Sequence, residues 1–198
     1  MRCALCDNMD CLSGKDCAIL KDRLMAIYSS GDERSMRAAA AVESRYYCEK
    51  TRLEEVVLYC SAMGYRKVGI AFCIGLSDLA RELHRALTKH FEVHSVCCKV
   101  CGISKSDLRL ESLHSGASIE AMCNPIGQAL ALNEAETDLN LTLGLCVGHD
   151  TLFIKHSTAP VSPFIVKDRV LGNNPAVALS SRYYKNRREN MVEIEKIE

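Results

Sequence analysis

The sequence contains no tryptophan, and aromatic residues make up only 6% of its 198 residues. A stacking pocket for a flavin or a similar planar cofactor therefore has little support. The full Gly-x-Gly-x-x-Gly fingerprint is also absent, because Gly75 stands alone after the first predicted strand. A dinucleotide-binding loop is not expected there.

A net charge and a long apolar run are both missing. Lys+Arg and Asp+Glu each number 25, so the formal net charge is zero, which gives no electrostatic indication of a nucleic-acid or anionic-membrane partner. No apolar run approaches the ~20 residues of a membrane span, and no hydrophobic signal region follows the N-terminus. We therefore expect a soluble, cytoplasmic protein without a nucleic-acid or membrane partner.

Cysteine, in contrast, is abundant, with twelve residues in the chain. Apolar residues make up 48%, so the core is large enough to fold without disulfides. Clustered cysteines in a reducing compartment bind metal or perform redox chemistry more often than they form disulfides. Cys48 and Cys60 lie on predicted helices without a partner at ligand spacing, so we interpret both as packing residues.

The first cysteine set occupies residues 1–17 in a C-x2-C-x4-C-x5-C pattern. A C-x2-C pair lets two sulfurs lie about 2.3 Å from one metal, and Gly14 allows a tight turn within the set. The pattern predicts a small metal-binding knuckle, and its spacing admits either zinc or an iron–sulfur cluster. The alternative is an unstructured N-terminus that binds metal adventitiously. The predicted ligands are Cys3, Cys6, Cys11 and Cys17.

Residues 18–64 predict a helical segment. We expect a first helix that is capped by Asp16 and ends near Gly31, and a second helix that is capped by Asp32. The capping-box sequence from Thr51 to Glu54 predicts the start of a third helix.

Residues 65–184 predict an α/β domain, and residues 185–198 form a charged tail. The expected fold is a mostly parallel sheet of about four strands with flanking helices. The third strand shows apolar residues at every second position, and Asp150 is expected to cap the helix that follows it. The predicted strands are 67–73, 91–97, 139–146 and 163–166, with helices starting near Ser77, Asn124, Asp150 and Asn174.

A second cysteine set is dispersed along this domain, at the carboxyl ends of predicted strands and at one helix start. Ligands of open α/β sheets gather at that edge, and the unpaired amides of helix starts stabilise thiolates. Neighbouring strand residues face opposite sides, so only one of Cys97 and Cys98 should face the site. We favour Cys98, with Cys101 as a replacement; the alternative is that these are separate core cysteines. The predicted ligands are Cys73, Cys98, Cys123 and Cys146.

Three polar residues near these cysteines are candidates for cofactor binding. His149 follows Cys146 and is predicted as a ligand, a proton donor or a partner of a ligand, with Asp150 beside it. Asn124 is interpreted either as a helix cap or as an amide of the site. The charged residues 167–169 are typical of a solvated or salt-bridged turn, with ligand binding as the lesser alternative.

Several phrases of the sequence carry a family resemblance: Met122-Cys-Asn-Pro-Ile-Gly-Gln-Ala129, Thr137-Asp-Leu-Asn140, Gly144-Leu-Cys-Val-Gly-His-Asp150, Ala159-Pro-Val161 and Val166-Lys-Asp-Arg-Val-Leu171. The chain resembles a bacterial and archaeal family of unknown function, described as cysteine-rich predicted metal-binding proteins and frequent in anaerobes. The resemblance covers almost the whole chain and implies metal binding without an established reaction. It does not require Cys101 as a ligand.

The predicted function is metal binding through cysteine thiolates. The expected cofactor is an iron–sulfur cluster of the [4Fe–4S] type or zinc, and the expected role is electron transfer or redox sensing. A redox partner or a small molecule would be the binding partner. One alternative is a zinc-stabilised module that binds a small ligand or a partner protein. The other is a thiol enzyme that uses Cys97 or Cys98, or Cys146 with His149.

Overall fold

Four short segments form the strands of one parallel sheet in the computed structural model, which describes residues 1–28, 32–113 and 119–189. The strand order is β2-β1-β3-β4, and every neighbouring pair is parallel. The predicted α/β fold with a four-stranded sheet is confirmed. The strands are β1 (Lys67–Phe72), β2 (Glu92–Cys97), β3 (Leu139–Leu143) and β4 (Val161–Ile165).

The two central strands are the most deeply buried. All five residues of β3 are buried, including the polar residues Asn140 and Thr142. Asn140 is fully buried, and its carboxamide accepts a hydrogen bond from Thr137 (2.8 Å) and donates one to Ser157 (2.9 Å). A buried polar side chain is tolerated there because both ends of its amide are satisfied.

Helices flank the sheet. Helix α4 packs against β1 and β2, while α5 packs against the same two strands and against α6. A core cluster joins Ala71 of β1 to Ala129, Leu132 and Phe153 on the helices. The helices of this unit are α4 (Ser77–Leu87), α5 (Pro125–Glu134), α6 (His149–His156), α7 (Ala176–Ser180) and α8 (Arg182–Glu189).

The chain divides into two compact units, Met1–Met63 and Gly64–Glu198. The first unit contains two short 3-10 turns, Cys3–Leu5 and Asp10–Ser13, followed by α1 (Lys21–Ile27), α2 (Glu33–Tyr46) and α3 (Arg52–Met63). The Ser35 and Tyr59 hydroxyls join α2 to α3 by a 2.8 Å hydrogen bond. The predicted capping box is confirmed. The Thr51 amide donates to the Glu54 carboxylate (2.9 Å), and the backbone amide of Glu54 donates to the Thr51 hydroxyl (3.4 Å).

Three predicted boundaries are wrong for identifiable reasons. The helix predicted from Asp16 begins at Lys21, because Ile19 adopts a left-handed φ of 55°. Strand β3 ends at Leu143, because Gly144 adopts a φ of 64° and turns the chain. Asp150 lies inside the first turn of α6, whose N-cap is Gly148.

The predicted charged tail and the predicted lack of a membrane span can also be compared with the structure. Helix α8 covers the first part of the predicted charged tail, and residues 190–198 lie outside the described residues, as does the predicted end of the first helix near Gly31. None of the helices in the described part of the chain is long and apolar enough to cross a bilayer.

Candidate functional site

The carboxyl edge of the parallel sheet carries the dispersed cysteines. Cys73 directly follows β1, Cys98 directly follows β2, and Cys146 lies three residues beyond the end of β3. Cys123 precedes the N-cap Asn124 of α5. Because all strands are parallel, their carboxyl ends share one edge, which is where open α/β sheets bind ligands.

Cys98 and Cys123 form a close thiol pair, with their Sγ atoms 3.9 Å apart. Cys98 is almost fully buried, with 3% of its surface exposed. The backbone fixes the pair from both sides, since the Cys98 amide donates to Phe72 (2.9 Å) and the Asn124 amide donates to the Cys98 carbonyl (2.8 Å). Cys98, rather than Cys97, is therefore the β2-end thiol that lies against Cys123.

Cys73 lies beside Cys98, the buried member of this pair. Burial opposes its ionisation, but the Gly75 amide, the Lys167 ammonium and a hydrogen bond from the Cys98 thiol hold the pKa of Cys73 below its ordinary value. Cys98 behaves in the opposite way. Burial raises the pKa of Cys98 to about 12. The Ile74 amide, which donates to the Cys98 sulfur, lowers this pKa, whereas the neighbouring Cys123 and Cys73 raise it further.

Three basic side chains reach the thiols. The Lys99 ammonium lies 3.6 Å from the Cys123 sulfur and donates to the Ala121 carbonyl at 2.7 Å. Lys167 contacts the Cys73 thiol. The Arg169 guanidinium donates to the Cys146 sulfur at 2.9 Å. The turn that follows β4 thus contacts the thiols, while Arg169 is exposed, as expected of a solvated turn.

His149 lies half-buried between two of these basic residues. Burial lowers the pKa of His149; the Asp150 carboxylate opposes this effect, and the positive charges of Lys99 and Arg169 strengthen it. The imidazole is therefore neutral near pH 7, which is the form that binds metal. The Asp150 carboxylate accepts from the Gly148 (3.0 Å) and Thr151 (2.8 Å) amides, so it holds the start of α6.

Asn124 acts as a helix cap. Its side-chain oxygen accepts from the Gly127 amide at 2.8 Å, and its side-chain nitrogen donates to the Val100 carbonyl at 3.3 Å. With 7% of its surface exposed, the residue has both ends of its carboxamide engaged within the fold. Its predicted contact with a cofactor stays a prediction.

The remaining cysteines lie apart from this cluster or lack its contacts. Cys97 is half-buried at the end of β2, and Cys101 is exposed. Cys60 is fully buried, as a packing residue should be. The packing interpretation of Cys48 is wrong, because it is exposed in the turn between α2 and α3, with a φ of 59°.

The N-terminal quartet is fully exposed. Gly14 adopts a φ of 90° and ends the second 3-10 turn, as the tight turn in the cysteine pattern requires. Across residues 1–28, 32–113 and 119–189, however, no three histidine, cysteine or acidic side chains lie close enough together to hold one metal ion as they stand. Both predicted ligand sets therefore stay predictions.

Comparison with known proteins identifies the family. A family model described as a protein of unknown function, DUF1847, matches residues 11–164. The chain belongs to the DUF1847 family. An uncharacterized protein of Methanocaldococcus jannaschii is 50% identical over 186 residues, which cover 93% of this chain and 96% of that protein. No solved structure matches the chain significantly.

These comparisons confirm the resemblance to a family of unknown function with an archaeal member. Neither the DUF1847 description nor the name of the relative mentions a metal, so the metal-binding part of the expectation stays a prediction.

Two residues of this DUF1847 chain were not singled out from the sequence. Gln128 is fully buried on α5, and its amide donates to the carbonyls of Phe72 (3.1 Å) and Val96 (2.7 Å), at the carboxyl ends of β1 and β2. It thereby links the helix behind Cys123 to the strands that carry Cys73 and Cys98. Its place four residues after Asn124, on the same helix face, was the available signal. Lys99, the second residue, was marked only by its position after the Cys97-Cys98 pair.

Proposed function

We propose that this chain is a metal-binding protein whose main centre is held by cysteine thiolates at the carboxyl edge of the sheet. The observation that carries the proposal is the 3.9 Å separation of the Cys98 and Cys123 sulfurs. Two sulfurs bound tetrahedrally about 2.3 Å from a zinc ion lie about 3.8 Å apart. The pair thus has the spacing of two ligands of one metal ion before any metal is bound.

Cys73 is the next ligand in this proposal, because it already accepts a hydrogen bond from the Cys98 thiol. Cys146 is the fourth ligand, and it would have to exchange its contact with Arg169 for the metal. Ligand side chains commonly complete their geometry only when the metal binds. The physiological role of the centre follows from the metal: zinc would serve structure or ligand binding, and an iron–sulfur cluster would carry or sense electrons.

The N-terminal quartet is proposed as a second centre. Its support is the cysteine spacing together with the left-handed turn at Gly14. Since Cys3, Cys6, Cys11 and Cys17 are exposed, we expect this segment to order around its metal, as small metal-binding modules do.

Elemental analysis of anaerobically purified protein tests the main centre. We expect the Cys98→Ser and Cys123→Ser variants each to lose one metal equivalent, or one cluster with its sulfide. The Cys101→Ser variant is the matched control, because Cys101 is exposed, and it should keep the wild-type content. Equal metal content in all four proteins would overturn the proposal. Brown protein with acid-labile sulfide would identify a cluster, and colourless protein with zinc would identify a single-ion centre.

A thiol-dependent enzyme is the second candidate function, supported by the 2.9 Å contact between Arg169 and the Cys146 sulfur. The Arg169 contact fixes the position of the Cys146 sulfur, and the neutral imidazole of His149, three residues further along the chain, can accept a proton. Metal-free protein in which Cys146 alone reacts rapidly with iodoacetamide at neutral pH would support this function over the metal centre.

A further inference from the structure

Lys99, Lys167 and Arg169 bring three positive charges to the thiol edge from two different segments, one after β2 and one after β4. Each cation lies against a different thiol: Lys99 against Cys123, Lys167 against Cys73, and Arg169 against Cys146. His149 lies close enough to Lys99 and Arg169 for both charges to disfavour its protonation. The three cations therefore act on one site.

In the described part of the chain, these cations have no carboxylate partner. Among the described residues, none of the three forms an ion pair with an acidic side chain. The nearby acids bind backbone amides instead. A carboxylate oxygen of Asp150 accepts from the Gly148 and Thr151 amides, and one of Asp168 accepts from the Val170 and Leu171 amides. Basic side chains gathered without a paired acid are the ordinary arrangement of an anion-binding site.

The sulfur contacts and the bond from Lys99 to the Ala121 carbonyl leave several N–H donors of the three side chains unused. A lysine carries three N–H donors and an arginine five, whereas a thiol sulfur is a weak acceptor. The edge is open to solvent, since Arg169 is exposed and Val147, in the loop beside it, is 88% exposed. A small ligand with oxygen acceptors has both access to the site and unused donors to bind.

We infer that Lys99, Lys167 and Arg169 form a binding site for a small oxyanion, a carboxylate or phosphate group, held beside the thiols. The inference goes beyond the proposed metal centre and does not require it, because the contacts that place the cations are made to the thiols themselves. It is also compatible with a bound metal. Four thiolates on a dication leave two net negative charges, which three cations exceed.

Titration calorimetry at low salt tests the inference, with inorganic phosphate and malonate as separate probes of the two oxyanion classes. The full-length protein is titrated twice, metal-free under reductant and after metal loading. We expect saturable binding of at least one probe. The Arg169→Met and Lys167→Met variants should bind it about 10-fold or more weakly, the loss of one charge-assisted contact.

Two controls keep the test decisive. Lys155→Met removes an exposed lysine of α6 and should bind like the wild type, while Lys167→Arg keeps the charge and should retain most of the affinity. The inference would be overturned if neither probe bound saturably. It would also be overturned if Arg169→Met, Lys167→Met and the wild type bound the probe with equal affinity. Metal content measured on the same samples separates this result from failure of the metal centre.

Discussion

Cys73 and Cys98 are neighbours whose surroundings favour opposite charge states. The Gly75 amide, Lys167 and the Cys98 thiol stabilise a thiolate at Cys73, whereas burial keeps Cys98 protonated. The Cys98 thiol is thus the hydrogen-bond donor and the Cys73 sulfur the acceptor. A metal ion would replace that shared proton, because thiolates are the ligand form of cysteine.

This difference predicts the alkylation behaviour of Cys73 in metal-free, reduced protein. Its pKa is depressed in the fold, so the thiolate forms at lower pH than in the unfolded chain, and labelling by iodoacetamide should begin at correspondingly lower pH. Mass-spectrometric mapping across a pH series, with the urea-denatured protein as the internal control, measures the two midpoints. The Lys167→Met variant should move the folded midpoint upward. A Cys73 midpoint equal to that of the denatured chain would contradict the assignment.

Helix α5 holds the site together at the scale of elements. Asn124 caps it and bonds to the Val100 carbonyl, while Gln128 reaches the ends of β1 and β2. The helix therefore fixes Cys123 relative to the strand-end thiols. This arrangement depends on Gly127, because a Cβ at that position would overlap the Asn124 carboxamide.

Gly127→Ala is therefore predicted to reverse the usual effect of this substitution. Alanine normally stabilises a helix by about 1 kcal/mol relative to glycine. Here it should destabilise the protein by about 1–2 kcal/mol, because the cap must move. Urea denaturation of the metal-free protein measures the change in the free energy of unfolding.

Gly75→Ala is the matched control for that substitution. A Cβ at Gly75 would meet the Cys73 sulfur at 3.9 Å, an ordinary contact, and Gly75 lies outside the left-handed region. Its unfolding free energy should change by less than about 0.5 kcal/mol. A stabilised Gly127→Ala variant would show that the cap tolerates the added methyl group.

At the scale of the whole molecule, local sequence patterns were sufficient for the strands and most helices. The apolar run before Cys73 predicted β1, because a buried parallel strand needs a continuous apolar sequence. β2 lies at the edge of the sheet, where its polar residues Glu92, His94 and Ser95 are tolerated. The turn at Gly144 was not predictable from the same pattern, since its left-handed conformation comes with a hydrogen bond to Ile165 of the neighbouring strand.

The basic residues of the site could not be predicted from the sequence for a similar reason. Lys167 and Arg169 reach the thiols because β4 lies beside β3 in the strand order β2-β1-β3-β4, and that order is a property of the assembled sheet. Cysteine positions could be predicted because they directly follow strands or precede a helix. Their basic partners come from distant segments, and composition alone made those residues resemble an ordinary charged turn.

The most direct test of the central claim is the ligand shell of the bound metal, measured by X-ray absorption. The protein for this measurement is the quadruple variant in which Cys3, Cys6, Cys11 and Cys17 are replaced by serine, so that only the sheet thiols can supply an intact cysteine site. We predict a bound metal with sulfur neighbours at about 2.3 Å. Loss of all bound metal from this variant, or a shell of nitrogen and oxygen alone, would contradict the claim.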